Sequence, residues 1–263
     1  MNGGARGDWG AAGADGASRV VGAVGAVIFD WGGTITPWHT VDVDEQWRVF
    51  AREYHVDQTD PALAEELAVR IWEAESAGWG RGRSEGASAR IDEILAEAGV
   101  VADDPRAVAG LAAYEAFWEP HTWTDPQIGP LWEALRDNGI RVGVLSNTIW
   151  SRDYHRGLLE RDGVLHLVDA DVYSSETPWV KPNPEIFLEA SRRIGVDPAE
   201  CVYLGDRGYE DVHGPQSAGM RAILVPHSDI PEYQQVAHDA TPDAVAHELK
   251  DVLDIVLHWD GRR

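Results

Sequence analysis

The stretch from Val24 to Thr34 constrains the fold of this chain more than any other. Its first half is a short β-branched and apolar run of the kind that makes a buried parallel strand. The run stops at a carboxylate, Asp30, followed by Trp31, Gly32, Gly33 and Thr34. Open α/β sheets bind their ligands at the carboxyl ends of their strands, and glycines let the backbone turn sharply and come close to a bound group. A strand that delivers Asp30 into such a turn supplies a nucleophile or a metal ligand. On this stretch alone, a plain strand end with an Asp-Gly turn accounts for the pattern as well.

Three later stretches change the balance. Arg141 to Asn147 is a second apolar strand, ending in the hydroxyl of Ser146 and the amide of Asn147. Val180 to Pro184 places Lys181 just before a helix. Cys201 to Asp206 is a third apolar strand ending in an acid, followed by Glu210 and Asp211. An Asp, a Ser, a Lys and an Asp pair, in that order and at strand ends, resemble the four signature motifs of the haloacid dehalogenase-like hydrolase superfamily. The resemblance covers roughly residues 24 to 225. It implies an α/β fold: a Rossmann-like core of parallel sheet with helices on both faces, and an inserted α-helical cap of the C1 type that closes over the site.

The chain in order fits that plan. Residues 1 to 22 are rich in Gly and Ala without periodicity and are expected to be a flexible leader. Residues 23 to 38 carry the first strand and the nucleophile loop. Residues 39 to 123 read as helical: Trp47, Phe50 and Tyr54, then Leu63, Leu67 and Ile71, then Ile91, Ile94, Leu95 and Ala98, then Leu111, Tyr114 and Trp118 recur at helical spacing. Asp60-Pro61 and Ser88 read as helix starts and Gly99 as a stop. Arg81 and Arg83, among three glycines, read as a basic loop between two of these helices. Residues 124 to 263 return to the core, with a strand at Val172 to Ser175, a strand at Arg221 to Val225 and a helix from Val245 to Val256.

Composition narrows the partners. A net charge of −23 argues against nucleic acid and against a polyanionic membrane surface. No apolar run approaches a membrane span, and the acids at Asp15 and Asp30 spoil the only stretch that imitates a secretory segment. The single cysteine, Cys201, lies in an apolar strand and reads as a buried thiol in a reducing compartment. The expectation is a cytoplasmic monomer or homodimer acting on a small phosphorylated metabolite.

The resemblance assigns roles by position. It implies Asp30 as the nucleophile that forms an aspartyl-phosphate, with Ser146 and Lys181 as the groups that steady the phosphoryl charge. It implies Mg²⁺ held by Asp30, Asp206 and Asp211 with the backbone carbonyl of Gly32. Gly33 and Thr34 are expected to touch substrate, and Asn147 either to do so or to cap its turn. Glu210 is open between a functional and a solvated role. Composition supports Lys181 independently, because the chain has 22 Lys and Arg but only two lysines, Lys181 and Lys250. One departure stands out. Phosphatases of this superfamily carry a second Asp two positions after the nucleophile, as acid and base; here that position is Gly32. His39, Asp42 and residues of the insertion are the available substitutes. The alternatives are a 2-haloacid dehalogenase-like hydrolase, whose halide leaves without a proton, and a binding protein with a degenerate site. Those dehalogenases typically carry Tyr at that position and lack the Gly-Asp pair that Gly205 and Asp206 supply here. Phosphonoacetaldehyde hydrolase chemistry needs a cap lysine, which residues 39 to 123 lack.

Overall fold

The computed structural model describes residues 22–37, 41–86, 88–101, 103–226 and 236–261. The expected leader therefore lies almost wholly outside the described residues, as do Trp38 and His39. Six short strands form one parallel sheet: β1 (Ala26–Phe29), β2 (Arg141–Ser146), β3 (Ala170–Tyr173), β4 (Cys201–Gly205), β5 (Arg221–Leu224) and β6 (Ala244–Val245). Their order is β3-β2-β1-β4-β5-β6, so the chain builds outward from β1 on one side and then restarts at β4 on the other. The switch between β1 and β4 opens a crevice at their carboxyl ends, the position where such sheets take ligands.

The apolar runs are continuous rather than alternating because both faces of the sheet are covered. Val27 and Phe29 of β1, Val142 and Val144 of β2, and Val202 and Leu204 of β4 pack with α5 (Ile128–Asp137) and α9 (Asp251–Trp259). Ala26, Ile28, Leu145, Cys201 and Tyr203 point the other way, onto α7 (Pro184–Ile194) through Ile186, Phe187, Ala190 and Ile194. Helix α7 starts where Asn183 accepts from the Glu185 N–H at 3.0 Å with Pro184 in the first turn, and ends at Gly195 in the left-handed conformation.

Between β1 and α5 the described residues form four α-helices: α1 (Val43–Tyr54), α2 (Ala62–Glu85), α3 (Ile91–Glu97) and α4 (Pro105–Trp118). No strand lies among the described residues of this insertion. The apolar stripes meet as expected except at Leu63, which is exposed, with Trp47, Phe50, Leu67, Ile71, Ile94, Leu95 and Tyr114 forming a core of their own. Ile149, from the loop after β2, is part of that core. Hydrogen bonds tie the insertion to the sheet domain, among them Ile91 N–H to the Ile149 carbonyl at 2.9 Å, Ser88 Oγ to the Thr177 carbonyl at 2.7 Å and the Arg161 guanidinium to the Thr122 carbonyl at 2.9 Å.

Several local expectations change. Gly78, Gly80 and Gly82 do not break the chain; α2 runs through them to Gly86, and Arg81 pairs with Glu97 at 3.2 Å instead of sitting in a loop. A Cβ at Gly78 would lie 2.9 Å from Cβ of Ala89, so there the glycine permits close packing. Ser88 caps nothing, because its hydroxyl is spent on Thr177, and α3 begins after Arg90. β3 ends at Tyr173, and Ser174–Glu176 turn as a 3₁₀ helix. The C-terminal segment splits: Ala244–Val245 add an edge strand and the helix starts only at Asp251. None of the described helices is long and apolar enough to cross a membrane.

Helices α6 (Arg152–Arg161) and α8 (Gly214–Ser217) complete the sheet domain. A π-helical turn, Gly208–His213, leads from β4 into α8.

Candidate active site

Register alone brings the acids together. Phe29 of β1 is level with Leu204 of β4, and the Asp30 N–H donates to the Leu204 carbonyl at 2.8 Å. Asp30 and Asp206 therefore leave adjacent strands at the same edge, and the π-helical turn folds Asp211 back over them. Oxygens of Asp30, Asp206 and Asp211 lie within 4.8 Å of one another, and all three residues are buried.

Lys181 sits in the middle of this charge. Its Nζ donates to Asp30 Oδ1 at 2.6 Å, to Asp211 Oδ1 at 2.7 Å and to the Tyr203 hydroxyl at 3.0 Å. The Tyr203 hydroxyl in turn donates to the Leu145 carbonyl at 2.9 Å. Burial alone would lower the ammonium's pKa; the carboxylates of Asp211 and Asp30 outweigh that and hold it well above the usual lysine value. The Lys181 backbone is fixed as firmly. Asn147 accepts from the Lys181 N–H at 2.8 Å and donates its amide to the Lys181 carbonyl at 3.1 Å. Both polar ends of Asn147 are thus taken up by the lysine loop, which favours a clamp over a substrate ligand.

Asp206 has no such partners. Both its oxygens are buried and without a hydrogen bond among the described residues. Burial first, then the charges of Asp211 and Asp30, raise its pKa well above the carboxylate range. Asp211 is raised too, by burial, with Lys181 opposing; its second oxygen accepts from the Arg207 N–H at 2.9 Å. A buried pair of unpaired carboxylate oxygens beside a second acid is a donor set for a hard divalent cation with oxygen ligands.

The loop after Asp30 is tight. Gly33 donates its N–H to the Thr36 carbonyl at 2.7 Å, and the Thr34 and Thr36 N–H groups both turn back to the Trp31 carbonyl. Thr34 is buried with its hydroxyl unpaired. At Gly32 a Cβ would meet nothing within 4 Å, so the space beside this residue is open. Asp42 does not fill it: it is an exposed N-cap of α1, accepting from the Asp44 N–H at 3.1 Å. Ser146 closes β2, buried, with its hydroxyl 3.3 Å from the Asn147 carbonyl. Continuing the β1–β2 register puts Ser146 level with Trp31, one residue past Asp30. Glu210 is half-buried in the π-helical turn.

Two groups at the site were not anticipated. Tyr203 sits in mid-strand and reads as one more apolar residue; the signal was that a buried tyrosine hydroxyl requires a partner. His155 of α6 lies between Trp31 (ring centroids 4.6 Å) and Tyr173 (4.5 Å, nearly parallel), with Nε2 3.0 Å from Thr148 Oγ1.

These features define a class: an open parallel-sheet enzyme whose centre is a carboxylate cluster gathered around one lysine at the topological switch point. The haloacid dehalogenase-like hydrolase family model matches residues 24–219, and the chain belongs to that family. Glyceraldehyde 3-phosphate phosphatase of Methanopyrus kandleri is 30% identical over 170 residues, 63% of this chain and 70% of that protein. Phosphoserine phosphatase of Thermus thermophilus is 30% identical over 162 residues, 61% of each chain. Among solved structures, the 2-haloacid dehalogenase of Pseudomonas syringae superposes with a TM-score of 0.63 over 90% of this chain and 99% of that one, at 24% identity, a likeness of fold.

Proposed function

We propose that the protein is a Mg²⁺-dependent phosphatase of small phosphorylated metabolites, with Asp30 as nucleophile and the insertion of residues 39 to 123 as a C1-type cap over the site. The observation that carries this reading is the bare, buried carboxylate of Asp206 beside Asp30. A carboxylate-only displacement of halide has no use for it, whereas a cation site does. The phosphatase names of the two relatives support the same choice.

Asp30, Asp206 and the Gly32 carbonyl would hold the ion, with Asp211 at its margin. Bound Mg²⁺ would offset the repulsion between an anionic phosphoryl group and the carboxylates. The remaining work falls to the chain. A carboxylate oxygen of Asp30 attacks phosphorus, the new O–P bond forms, and the bond from phosphorus to the leaving oxygen breaks. Lys181, held by Asp211, Tyr203 and Asn147, keeps its proton and balances charge as it passes from Asp30 to the phosphoryl oxygens. Ser146 donates its hydroxyl to a phosphoryl oxygen. Water then cleaves the aspartyl-phosphate and returns Asp30.

A panel of aryl and acyl phosphates, sugar phosphates and 2-haloacids, run with and without Mg²⁺, tests the proposal. Phosphate release that needs Mg²⁺ and disappears in Asp30→Asn is expected. Halide release without a divalent ion would overturn it.

A further inference from the structure

The insertion holds a second polar centre that the chemistry at Asp30 leaves unused. Glu75 of α2 accepts from Trp47 Nε1 at 2.6 Å and Gln46 Nε2 at 3.5 Å on one oxygen, and from Trp79 Nε1 at 3.3 Å on the other. No lysine, arginine or histidine among the described residues pairs with it. Burial pushes its pKa up, and the two indole N–H groups pull it back. A carboxylate largely removed from water with only neutral partners is costly to keep ionised, and an opposite charge brought beside it would offset that cost.

Its surroundings are aromatic. Gln46 Oε1 accepts from the Tyr114 hydroxyl at 3.0 Å and from Trp118 Nε1 at 3.1 Å. The Tyr114 ring lies 4.7 Å from Trp47 and 5.1 Å from Trp150, and Trp150 stacks on Tyr154 at 4.8 Å. Trp47 and Tyr114 are buried, whereas Trp79, Trp118, Trp150 and Tyr154 keep part of their surface exposed. Trp150 belongs to the loop that leaves β2 directly after Ser146. Its N–H is held by Thr148 Oγ1 at 3.0 Å and its carbonyl by Ser175 Oγ at 2.5 Å. The loop that follows Ser146 thus carries one wall of this cluster.

We propose that Glu75, with Trp79, Trp118 and Trp150, forms the subsite for an organic cation: an alkylated or quaternary ammonium group on the phosphorylated substrate. The proposal rests on the phosphatase reading and names its substrate class. Aromatic faces attract a cation, most strongly when water is excluded. The neutral donors already occupy both Glu75 oxygens, so among the described residues the cluster lacks positive charge rather than N–H groups. A quaternary ammonium supplies charge without donors. A metal ion would require more oxygen ligands than Glu75 and the Gln46 carbonyl offer, and a substrate with an anionic tail would meet repulsion.

The test uses a matched pair of aryl phosphates, one carrying a para 3-(trimethylammonio)propyl group and the other its neutral 4,4-dimethylpentyl isostere, so that three methylenes insulate the leaving oxygen from the charge. The wild-type enzyme is expected to favour the cationic ester about tenfold in kcat/KM, chiefly through KM. Glu75→Gln and Trp150→Leu should each bring that ratio towards one. Calorimetry with choline alone supplies a readout independent of turnover: binding to the wild type, weakened in Glu75→Gln. Hydrolysis of both esters at equal efficiency with no choline binding would overturn this inference and leave the phosphatase reading standing. If neither ester nor any other phosphomonoester is turned over, the phosphatase reading fails, and the choline titration alone decides for or against the cation subsite.

Discussion

Gly33 and Asp206 share one volume: a Cβ built on Gly33 would lie 2.1 Å from Oδ2 of Asp206 and 2.7 Å from its Cγ. The glycine also has φ of +79°, in the left-handed region. Two independent reasons therefore exclude a side chain at this position, one from the backbone and one from the carboxylate it faces. Gly33→Ala should lose about 1–2 kcal/mol for the backbone conformation alone. For a domain of this size that is a fall in Tm of about 2–8 °C. Displacing Asp206 should lower kcat by about 10²–10³-fold, the range for removing one positioned electrostatic group. Combination with Asp206→Ala tests the mechanism. If the glycine acts by making room for the carboxylate, the double variant is no slower than Asp206→Ala alone.

Gly32, one residue earlier, is the opposite case, since nothing lies within 4 Å of its Cβ position. Gly32→Asp should therefore fold with little strain and place a proton donor on the open side of Asp30. Alkyl phosphates, whose leaving alkoxide requires a proton, should gain more than aryl or acyl phosphates. The ceiling is about 10²–10⁴-fold, the range of general acid–base catalysis. The matching expectation for the wild type is a steep dependence of rate on leaving-group pKa. A flat dependence, with the chemical step shown to limit the rate, would mean that another residue already supplies the proton.

Ion binding should be linked to protons. Burial and mutual repulsion raise the pKa values of Asp206 and Asp211, so the ion-free site holds protons at a pH where free carboxylates hold none. A divalent cation needs the ionised form, so its binding expels those protons and its affinity rises with pH. Titrations with Mg²⁺ at neutral pH in two buffers of different ionisation enthalpy should give different apparent heats. Equal heats in both buffers would show that no proton leaves.

His155 gives the fold an acid limit. Burial pushes its pKa from 6.5 down to about 3, with Asp171 opposing. Because the folded pKa is depressed, the unfolded chain takes up a proton below pH 6.5 that the folded chain refuses until about pH 3. The contribution is therefore intact above pH 6.5 and is lost as pH falls towards 3, at about 1.4 kcal/mol per unit. In His155→Phe the imidazole is absent, so urea unfolding should show the wild type losing about 2 kcal/mol more than the variant between pH 6.5 and 5. At pH 8 the order should reverse by about 1 kcal/mol, because the variant lacks the hydrogen bond to Thr148.

Much of the architecture was legible because strand and helix impose different periods on apolar residues. The runs ending at Asp30, Ser146 and Asp206 are short, continuous and β-branched, and each became a central strand of the parallel sheet. The stripes through Trp47, Leu67, Ile94 and Tyr114 became the four helices of the insertion. Errors arose where a residue has two uses. The glycines at 78, 80 and 82 read as a loop because glycine lowers helix propensity by about 1 kcal/mol each. Packing of Gly78 against Ala89 shows why a small residue is needed there. Ser88 read as a cap because its type favours one, yet its hydroxyl went to Thr177, 89 residues away.

By itself the sequence determined which chemical groups stand at strand ends: an acid, a hydroxyl, a lysine and an acid pair. That much follows from local chain chemistry, since strand length and turn residues are short-range properties. Only the tertiary structure decided which of these groups touch. It set Lys181 between Asp30 and Asp211, spent Asn147 on the lysine backbone, brought in Tyr203 from mid-strand and left both oxygens of Asp206 bare. The reason is distance along the chain. Lys181 and Asp30 are 151 residues apart, and their contact depends on the register of β1 with β4 and on the seating of α7, which no local pattern of residues specifies.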